Sequence, residues 1–149
     1  MTPESLTDYL HRNIPLTAAM AARVQHLADD RVEIAAPLAP NHNHAGTAFG
    51  GSLSTLAIVS GWALLLHALR AAQIPHRLVI QSSSCDYLRP VTADFRAESR
   101  LPAEDRERFL QTLLRRGRAR ISVKSILTAG GETVAEATGN YVAIQEQTA

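Results

Sequence analysis

The sequence is poor in cysteine and carries almost no net charge. Cys85 is the one cysteine among 149 residues, so an internal disulfide is excluded and a reducing compartment, the cytoplasm, is favoured. The formal net charge of +1 excludes a general electrostatic attraction to nucleic acid. The sequence shows no internal repeats or low-complexity tracts, and its first residues are expected to form a helix and not a basic leader. The length and the 46% hydrophobic content predict one domain over residues 1–149, with a substantial core.

A second absence concerns charge along the chain, because residues 34–69 contain no Asp, Glu, Lys or Arg. The apolar end of this stretch predicts a helix over about residues 50–72, which at ~1.5 Å per residue is long enough to cross a bilayer. Serine, threonine and histidine side chains interrupt it, however, and no basic residues flank its N-terminal side. A helix that is hydrophobic nearly all round is also typical of a protein interior. We therefore expect a core helix and no membrane span.

Around this helix the sequence predicts mostly strands. Apolar and alternating runs indicate strands at 22–27, 32–36, 78–88, 94–101, 118–127 and 133–144, with hairpin turns at 29–30 and 130–131. Helices are predicted at 3–12 and from 102 to about 117, and Pro15 is expected to break the first one. Because strands outnumber helices and are joined mostly by hairpins, we predict an α+β fold with an antiparallel sheet around the long helix.

The loop that leads into the long helix carries the most distinctive residues. Asparagine and histidine alternate over residues 41–44, and a glycine pair, Gly50-Gly51, stands at the predicted helix start. The first N–H groups of a helix lack intrahelical partners and carry partial positive charge. Two glycines allow a ligand to approach these groups closely. Gly50 and Gly51 are therefore candidate donors to a carbonyl oxygen that gains negative charge, although close helix packing explains the same glycines.

This order of elements, with this loop, resembles the hotdog fold, an antiparallel β-sheet wrapped around a long central α-helix. Residues 46–53, Gly-Thr-Ala-Phe-Gly-Gly-Ser-Leu, followed by Gly61-Trp62, are most similar to the thioesterase domain found fused C-terminally to bacterial acetyltransferases (YiiD C-terminal type). The resemblance covers about residues 5–146. It implies hydrolysis of acyl-CoA or acyl-ACP, no metal or redox cofactor, and a homodimer or dimer of dimers with sites at the subunit interface.

Two positions depart from the pattern of the superfamily. Its histidine before the glycine pair is Phe49 here, and its helix carboxylate, seven residues after the second glycine, is Ile58. The histidine-phenylalanine-proline loop of the related dehydratases is also missing. The resemblance therefore implies recognition of an acyl thioester without naming a catalytic base. A non-catalytic module that binds or senses acyl thioesters is the alternative.

The remaining catalytic candidates follow from side-chain chemistry. Asn43 can hold a water or donate to a carbonyl, and His44, its neighbour His42 and Asp86 are candidate bases. A metal site at the two histidines is not expected, since the nearby sequence offers no third ligand. Loop capping for the asparagines and solvent exposure for the charged groups are the structural alternatives.

Candidate substrate-binding residues complete the prediction. They are Asn41, His42, Thr47, Phe49, Ser52, Ser84, Arg118 and Arg120. The two arginines suit the phosphates of coenzyme A or phosphopantetheine, although a solvated strand face explains them more simply. Simple alternation places Ser82, Ser84 and Asp86 on the strand face of Leu78 and Ile80. This polar stripe is a candidate lining for a substrate channel, with a solvent-facing strand end as the favoured alternative for Asp86.

Overall fold

A single six-stranded antiparallel sheet curls around one long helix. The computed structural model describes residues 1–148. The strands are β1 Arg23–Leu27, β2 Arg31–Ala36, β3 His76–Tyr87, β4 Phe95–Arg100, β5 Arg118–Ala129 and β6 Glu132–Gln145. Their order in the sheet is β1-β2-β4-β5-β6-β3, and every neighbouring pair is antiparallel. The predicted α+β architecture is therefore confirmed, with β1 and β3 as the two edge strands.

The helices begin and end where local chemistry favours it. They are α1 Pro3–Asn13, α2 Pro15–Ala19, α3 Gly50–Ala71 and α4 Ala103–Arg116, with a 3₁₀ turn at Ala39–Asn41. Thr2 and Ser5 form a reciprocal capping box at the start of α1, and Gly117, at φ +73°, ends α4. Helix α2 is an element that the sequence pattern missed. Pro15 does end α1, but it also occupies the first position of α2, where its missing N–H costs nothing.

Helix α3 is the core helix that the sequence predicts. It packs against β2, β3, β4, β5 and β6, and Leu56, Leu64 and Leu65 are almost completely buried. Its length and composition would suffice to span a membrane, but 67% of its most hydropathic window is buried inside the protein. Gly51, Ser54, Ile58 and Trp62 are only half-buried. Because they recur every three or four residues, they form one face of the helix, which we call the half-buried stripe of α3.

A β-bulge reverses the alternation of β3 halfway along the strand. The pairing with β6 shifts register between Ile80 and Ser82. Leu78 and Ile80 face α3, but beyond the bulge Cys85 and Tyr87 occupy that inner face, opposite the inward residues of β6. Ser82, Ser84 and Asp86 lie on the outer face of the sheet. The prediction that they share a face with Leu78 and Ile80 is therefore wrong, because simple alternation cannot anticipate an extra residue.

Tyr141 of β6 holds α3 against the sheet. Its side chain is buried, and its hydroxyl donates to the Ile58 carbonyl at 2.7 Å. Glycines make room for the ring on both sides: a Cβ added at Gly61 would overlap Tyr141 Oη, and one at Gly139 would lie 2.6 Å from Cε2. Gly61, part of the sequence motif, is thus needed for close approach of strand and helix.

A chain of buried hydroxyl groups connects α3 to two further strands. Ser60 of α3 hydrogen-bonds Ser99 of β4, which hydrogen-bonds Ser125 of β5 at 2.6 Å. The Ser125 hydroxyl donates to the Ala57 carbonyl at 3.3 Å, so the chain returns to the helix. All three hydroxyls are satisfied within the core, as buried polar groups require. Together with the Tyr141 contact, these hydroxyl hydrogen bonds fix the position of α3 relative to β4, β5 and β6.

Candidate active site

The loop before α3 is anchored by Asn41, which is 2% exposed. Its Nδ2 donates to the carbonyls of Met20 (2.9 Å) and Pro37 (2.8 Å), while its Oδ1 accepts no hydrogen bond from residues 1–148. Its backbone carbonyl accepts from the Phe49 N–H at 2.7 Å. Asn41, predicted to bind substrate, therefore acts here as the internal support of the loop and sets the residue that precedes α3.

Asn43 closes the tip of the same loop. Its Oδ1 accepts from the N–H groups of Ala45 (2.8 Å) and Thr47 (3.2 Å), and its Nδ2 donates to Thr47 Oγ1 at 2.8 Å. This is the side-chain turn geometry expected of an asparagine in a tight loop. One amide hydrogen of Asn43 and the hydroxyl hydrogen of Thr47 are still available to a ligand. The predicted site roles of both residues stay predictions.

The two loop histidines lie at the surface. His42 Nδ1 is 2.9 Å from the Asn43 carbonyl oxygen, and the His44 side chain is exposed. Within residues 1–148, no three His, Cys, Asp or Glu side chains come together as a metal-binding group. Both imidazoles are accessible to solvent.

The glycine pair opens α3 between two aromatic rings. Phe49 is the N-cap residue of α3, and its side chain caps no N–H group. A Cβ added at Gly51 would overlap the Phe49 ring, and one at Gly50 would lie 3.4 Å from Tyr87 Cζ. Within residues 1–148 the N–H groups of Gly50 and Gly51 have no acceptor, as expected in a first helical turn. Two adjacent donors with partial positive charge are therefore open to an incoming oxygen atom.

Tyr87 is a site residue that sequence reasoning missed. Its hydroxyl donates to the Gly50 carbonyl at 2.9 Å, and the Cys85 thiol and the Ser54 hydroxyl lie close to it. Partial burial, with the neighbouring Cys85, raises the pKa of Tyr87, so the hydroxyl remains a neutral donor at physiological pH. The Tyr87-x-x-Pro90 ending of β3 was the available signal, but the bulge concealed which way its tyrosine points.

The other predicted site residues lie away from the glycine pair. Ser84 and Asp86 are exposed on the outer face of β3, and Asp86 stands opposite Glu136. Arg118 and Arg120 are exposed on the outer face of β5. Tyr87 pairs with the sheet at the level of Leu127, nine residues along β5 from Arg118, a separation of roughly 30 Å at ~3.3 Å per residue. The structure therefore brings Phe49, Gly50, Gly51 and Ser52 together with Tyr87, and leaves the arginines distant within one chain.

Comparison with known proteins identifies the family of the chain. Residues 3–145 match the family described as "Putative thioesterase (yiiD_Cterm)". The chain belongs to this thioesterase family. A "putative thioesterase" from Shewanella oneidensis shares 26% identity and superimposes with a TM-score of 0.85, over 95% of this chain and 96% of the other. A "probable thioesterase" from Pseudomonas aeruginosa shares 30% identity, with a TM-score of 0.84 and 97% of each chain covered.

A structure with much lower sequence identity shows how far the fold extends. A thioesterase from Haemophilus influenzae is only 14% identical but superimposes with a TM-score of 0.75, over 97% of this chain and 92% of the other. The hotdog fold inferred from the sequence is thereby confirmed. The family match does not remove the two departures from the superfamily pattern: Phe49 and Ile58 occupy the positions where that pattern has a histidine and a carboxylate. Ile58 lies on the half-buried stripe of α3, two turns beyond the glycine pair.

Proposed function

We propose that the protein hydrolyses acyl thioesters of coenzyme A or acyl carrier protein. The observation that carries the proposal is the pair of open N–H groups at Gly50 and Gly51, at the start of a buried helix in a thioesterase-family fold. In the proposed complex the thioester carbonyl oxygen accepts from these groups. The acyl chain lies along the half-buried stripe of α3, whose Ile58 and Trp62 offer apolar surface.

The reaction proceeds by addition and elimination at the carbonyl carbon. Water attacks that carbon and loses a proton to a base, and the carbonyl oxygen becomes an oxyanion held by the two N–H groups. Collapse of the tetrahedral intermediate breaks the C–S bond, giving a carboxylic acid and the free thiol of the carrier. Donors that are already oriented toward such an oxyanion typically contribute ~2.7–4 kcal/mol to lowering the barrier.

The proton acceptor comes from the loop or from the edge strand. His42, His44 and Asp86 are the proposed bases, because Ile58 has no titratable group. Asp86 faces away from the glycine pair of its own chain, so its proposed role is at the site of a second copy across the dimer interface. Both histidines lie in the loop whose ends are joined by the hydrogen bond from the Phe49 N–H to the Asn41 carbonyl, so they stay near the start of α3. Asn43 is proposed to hold the attacking water through its remaining amide hydrogen. Thr47, Ser52 and Ser84 remain proposed substrate contacts, as do the two arginines for carrier phosphates.

A homodimer is the proposed assembly. The twelve-residue strand β3 is an edge of the sheet, so half of its N–H and C=O groups point away from β6. The half-buried stripe of α3 is also only partly covered. A second copy would cover both surfaces and bring its own loop and arginines toward the glycine pair. We propose the cytoplasm as the compartment, since Cys85 is unpaired.

Hydrolysis of a chain-length panel tests the function. The full chain is incubated with acyl-CoAs from acetyl to palmitoyl and with the same acyl groups on acyl carrier protein, and loss of thioester absorbance is followed. Turnover well above the uncatalysed rate, with a preference among acyl lengths, is the expected result. If long acyl-CoAs bind but none is hydrolysed, the enzymatic proposal fails.

That negative outcome would favour the second candidate function, a non-catalytic acyl-thioester-binding module. The observation behind it is Ile58, because the superfamily carboxylate is replaced by a side chain that cannot accept a proton. Calorimetric titration with a non-hydrolysable acyl-CoA thioether measures binding without turnover.

Single alanine variants identify the base. The pH–rate profiles of His42→Ala, His44→Ala and Asp86→Ala are compared with that of the wild type. Loss of the limb that requires a deprotonated base, in one variant only, assigns the role. Wild-type profiles in all three would exclude these residues as bases.

A further inference from the structure

Tyr87 reaches the start of α3 because of the bulge in β3. The register shift after Ile80 turns Tyr87 inward, opposite the buried Ala135. Its ring packs on Gly50, where an added Cβ would lie 3.4 Å from Cζ and 3.5 Å from Oη. Its hydroxyl donates to the Gly50 carbonyl oxygen at 2.9 Å. An edge-strand side chain is thereby connected to the first peptide group of the helix.

The Gly50 carbonyl and the Gly51 N–H belong to the same peptide group. A trans peptide is planar, with its C=O and N–H pointing in opposite directions, so fixing the oxygen also fixes the direction of the N–H. A hydrogen bond accepted by the oxygen also polarises the group and strengthens the N–H as a donor, by about 10–30% in condensed-phase estimates. Gly51 N–H has no acceptor within residues 1–148. The Tyr87 hydroxyl therefore acts on a donor that is free to bind a ligand.

The surroundings favour this direction of the hydrogen bond. The Gly50 carbonyl is an acceptor only, so the tyrosine must be the donor. The hydrogen bond therefore runs from the Tyr87 hydroxyl to the Gly50 carbonyl, whose peptide group ends at the Gly51 N–H.

We propose that Tyr87 is a positioning residue, which orients and strengthens the Gly51 N–H donor through the Gly50–Gly51 peptide group. The inference rests on the proposed function, in which that N–H receives the thioester carbonyl. Tyr87 need not touch the substrate. Its effect is predicted on the polarisation of the bound carbonyl and on the chemical step, and not on ground-state affinity.

Tyr87→Phe is the test variant, because it keeps the ring against Gly50 and removes only the hydroxyl. Tyr141→Phe is the matched control, since Tyr141 also donates to a carbonyl of α3, that of Ile58 at 2.7 Å. The N–H of that peptide group belongs to Val59, inside α3, where helical hydrogen bonding already occupies it. Both variants lose one tyrosine–helix hydrogen bond, but only one of them alters an open donor.

We expect Tyr87→Phe to lower kcat about fivefold, the equivalent of one ordinary hydrogen bond, with KM unchanged. Tyr141→Phe should lower the melting temperature while its kcat stays within about twofold of the wild type. An equal loss of kcat in both variants, or wild-type kcat in Tyr87→Phe, would overturn the inference although the enzyme remains a thioesterase.

A spectroscopic readout separates this inference from the proposed function. A ketone analogue of acyl-CoA, with CH₂ in place of sulfur and ¹³C at the carbonyl, binds without being hydrolysed. Its ¹³C resonance should move downfield on binding to the wild type, and part of that shift should disappear in Tyr87→Phe but not in Tyr141→Phe. An identical shift in all three proteins would refute the role of Tyr87, whereas a wild type that polarises the ketone without hydrolysing thioesters would refute only the enzymatic function.

Discussion

Gly61→Ala tests whether the contact between Tyr141 and α3 is as close as the structure indicates. The new Cβ would overlap Tyr141 Oη and lie 3.0 Å from Cζ, and the ring is 1% exposed, so it has little room to move. Overpacking of this kind costs about 1–3 kcal/mol, and loss of the hydrogen bond to Ile58 adds about 1 kcal/mol. The better helix propensity of alanine returns about 1 kcal/mol. We expect a net loss of about 2 kcal/mol, or roughly 4–8 °C in melting temperature.

Urea and thermal unfolding, followed by circular dichroism, measure this loss in a double-mutant cycle with Tyr141→Phe. Without the hydroxyl, the atom that the new methyl would overlap is gone, so Gly61→Ala should cost at least about 1 kcal/mol less in that background. A Gly61→Ala protein as stable as the wild type, or the same cost in both backgrounds, would refute the proposed packing.

Three further predictions follow from buried groups. Ser99→Ala interrupts the buried hydroxyl chain and should destabilise the fold by about 1–3 kcal/mol in urea unfolding, whereas Ser82→Ala on the exposed outer face should change it by less than about 0.5 kcal/mol. Burial raises the pKa of Tyr141 well above 10.0, so above about pH 10 this tyrosine ionises only in the unfolded chain. It should therefore contribute a fall in stability of about 1.4 kcal/mol per pH unit, and Tyr141→Phe should reduce the measured slope by that amount. Burial also raises the pKa of Cys85, so iodoacetamide at about pH 8 should alkylate the folded protein more slowly than the urea-unfolded chain, and equal rates would contradict this.

The residues that the sequence placed correctly are those whose structure depends on near neighbours. The limits of α3, predicted at 50–72 and found at Gly50–Ala71, follow from a glycine pair at one end and Pro75 beyond the other. The turn at Gly130–Gly131 has positive φ at both glycines, which only neighbouring residues need to specify. Helix α2 was not predicted, because the same local chemistry of proline both ends one helix and starts another.

The site shows where local pattern was insufficient. The glycine pair was identified because a helix start and small residues are both visible in sequence. The inward position of Tyr87 and the outward position of Asp86 depend on one extra residue in β3. Whether the strand accommodates that residue is decided by its pairing with β6. The anchoring of Asn41 also depends on tertiary structure, because one of the two carbonyls that its amide contacts belongs to Met20, 21 residues earlier in the chain.

By itself, the sequence determined the fold class, the buried helix and the glycine pair that opens it, because periodicity and helix-start chemistry act over a few residues. Only the tertiary structure decided which polar groups surround that pair. Sheet register places Tyr87 above Gly50 and Asp86 on the outer face. The Tyr141 side chain fits between sheet and helix only because Gly61 and Gly139 have no Cβ. These outcomes depend on strands and helices that meet from distant parts of the chain, where one residue of register changes the face on which every later side chain lies.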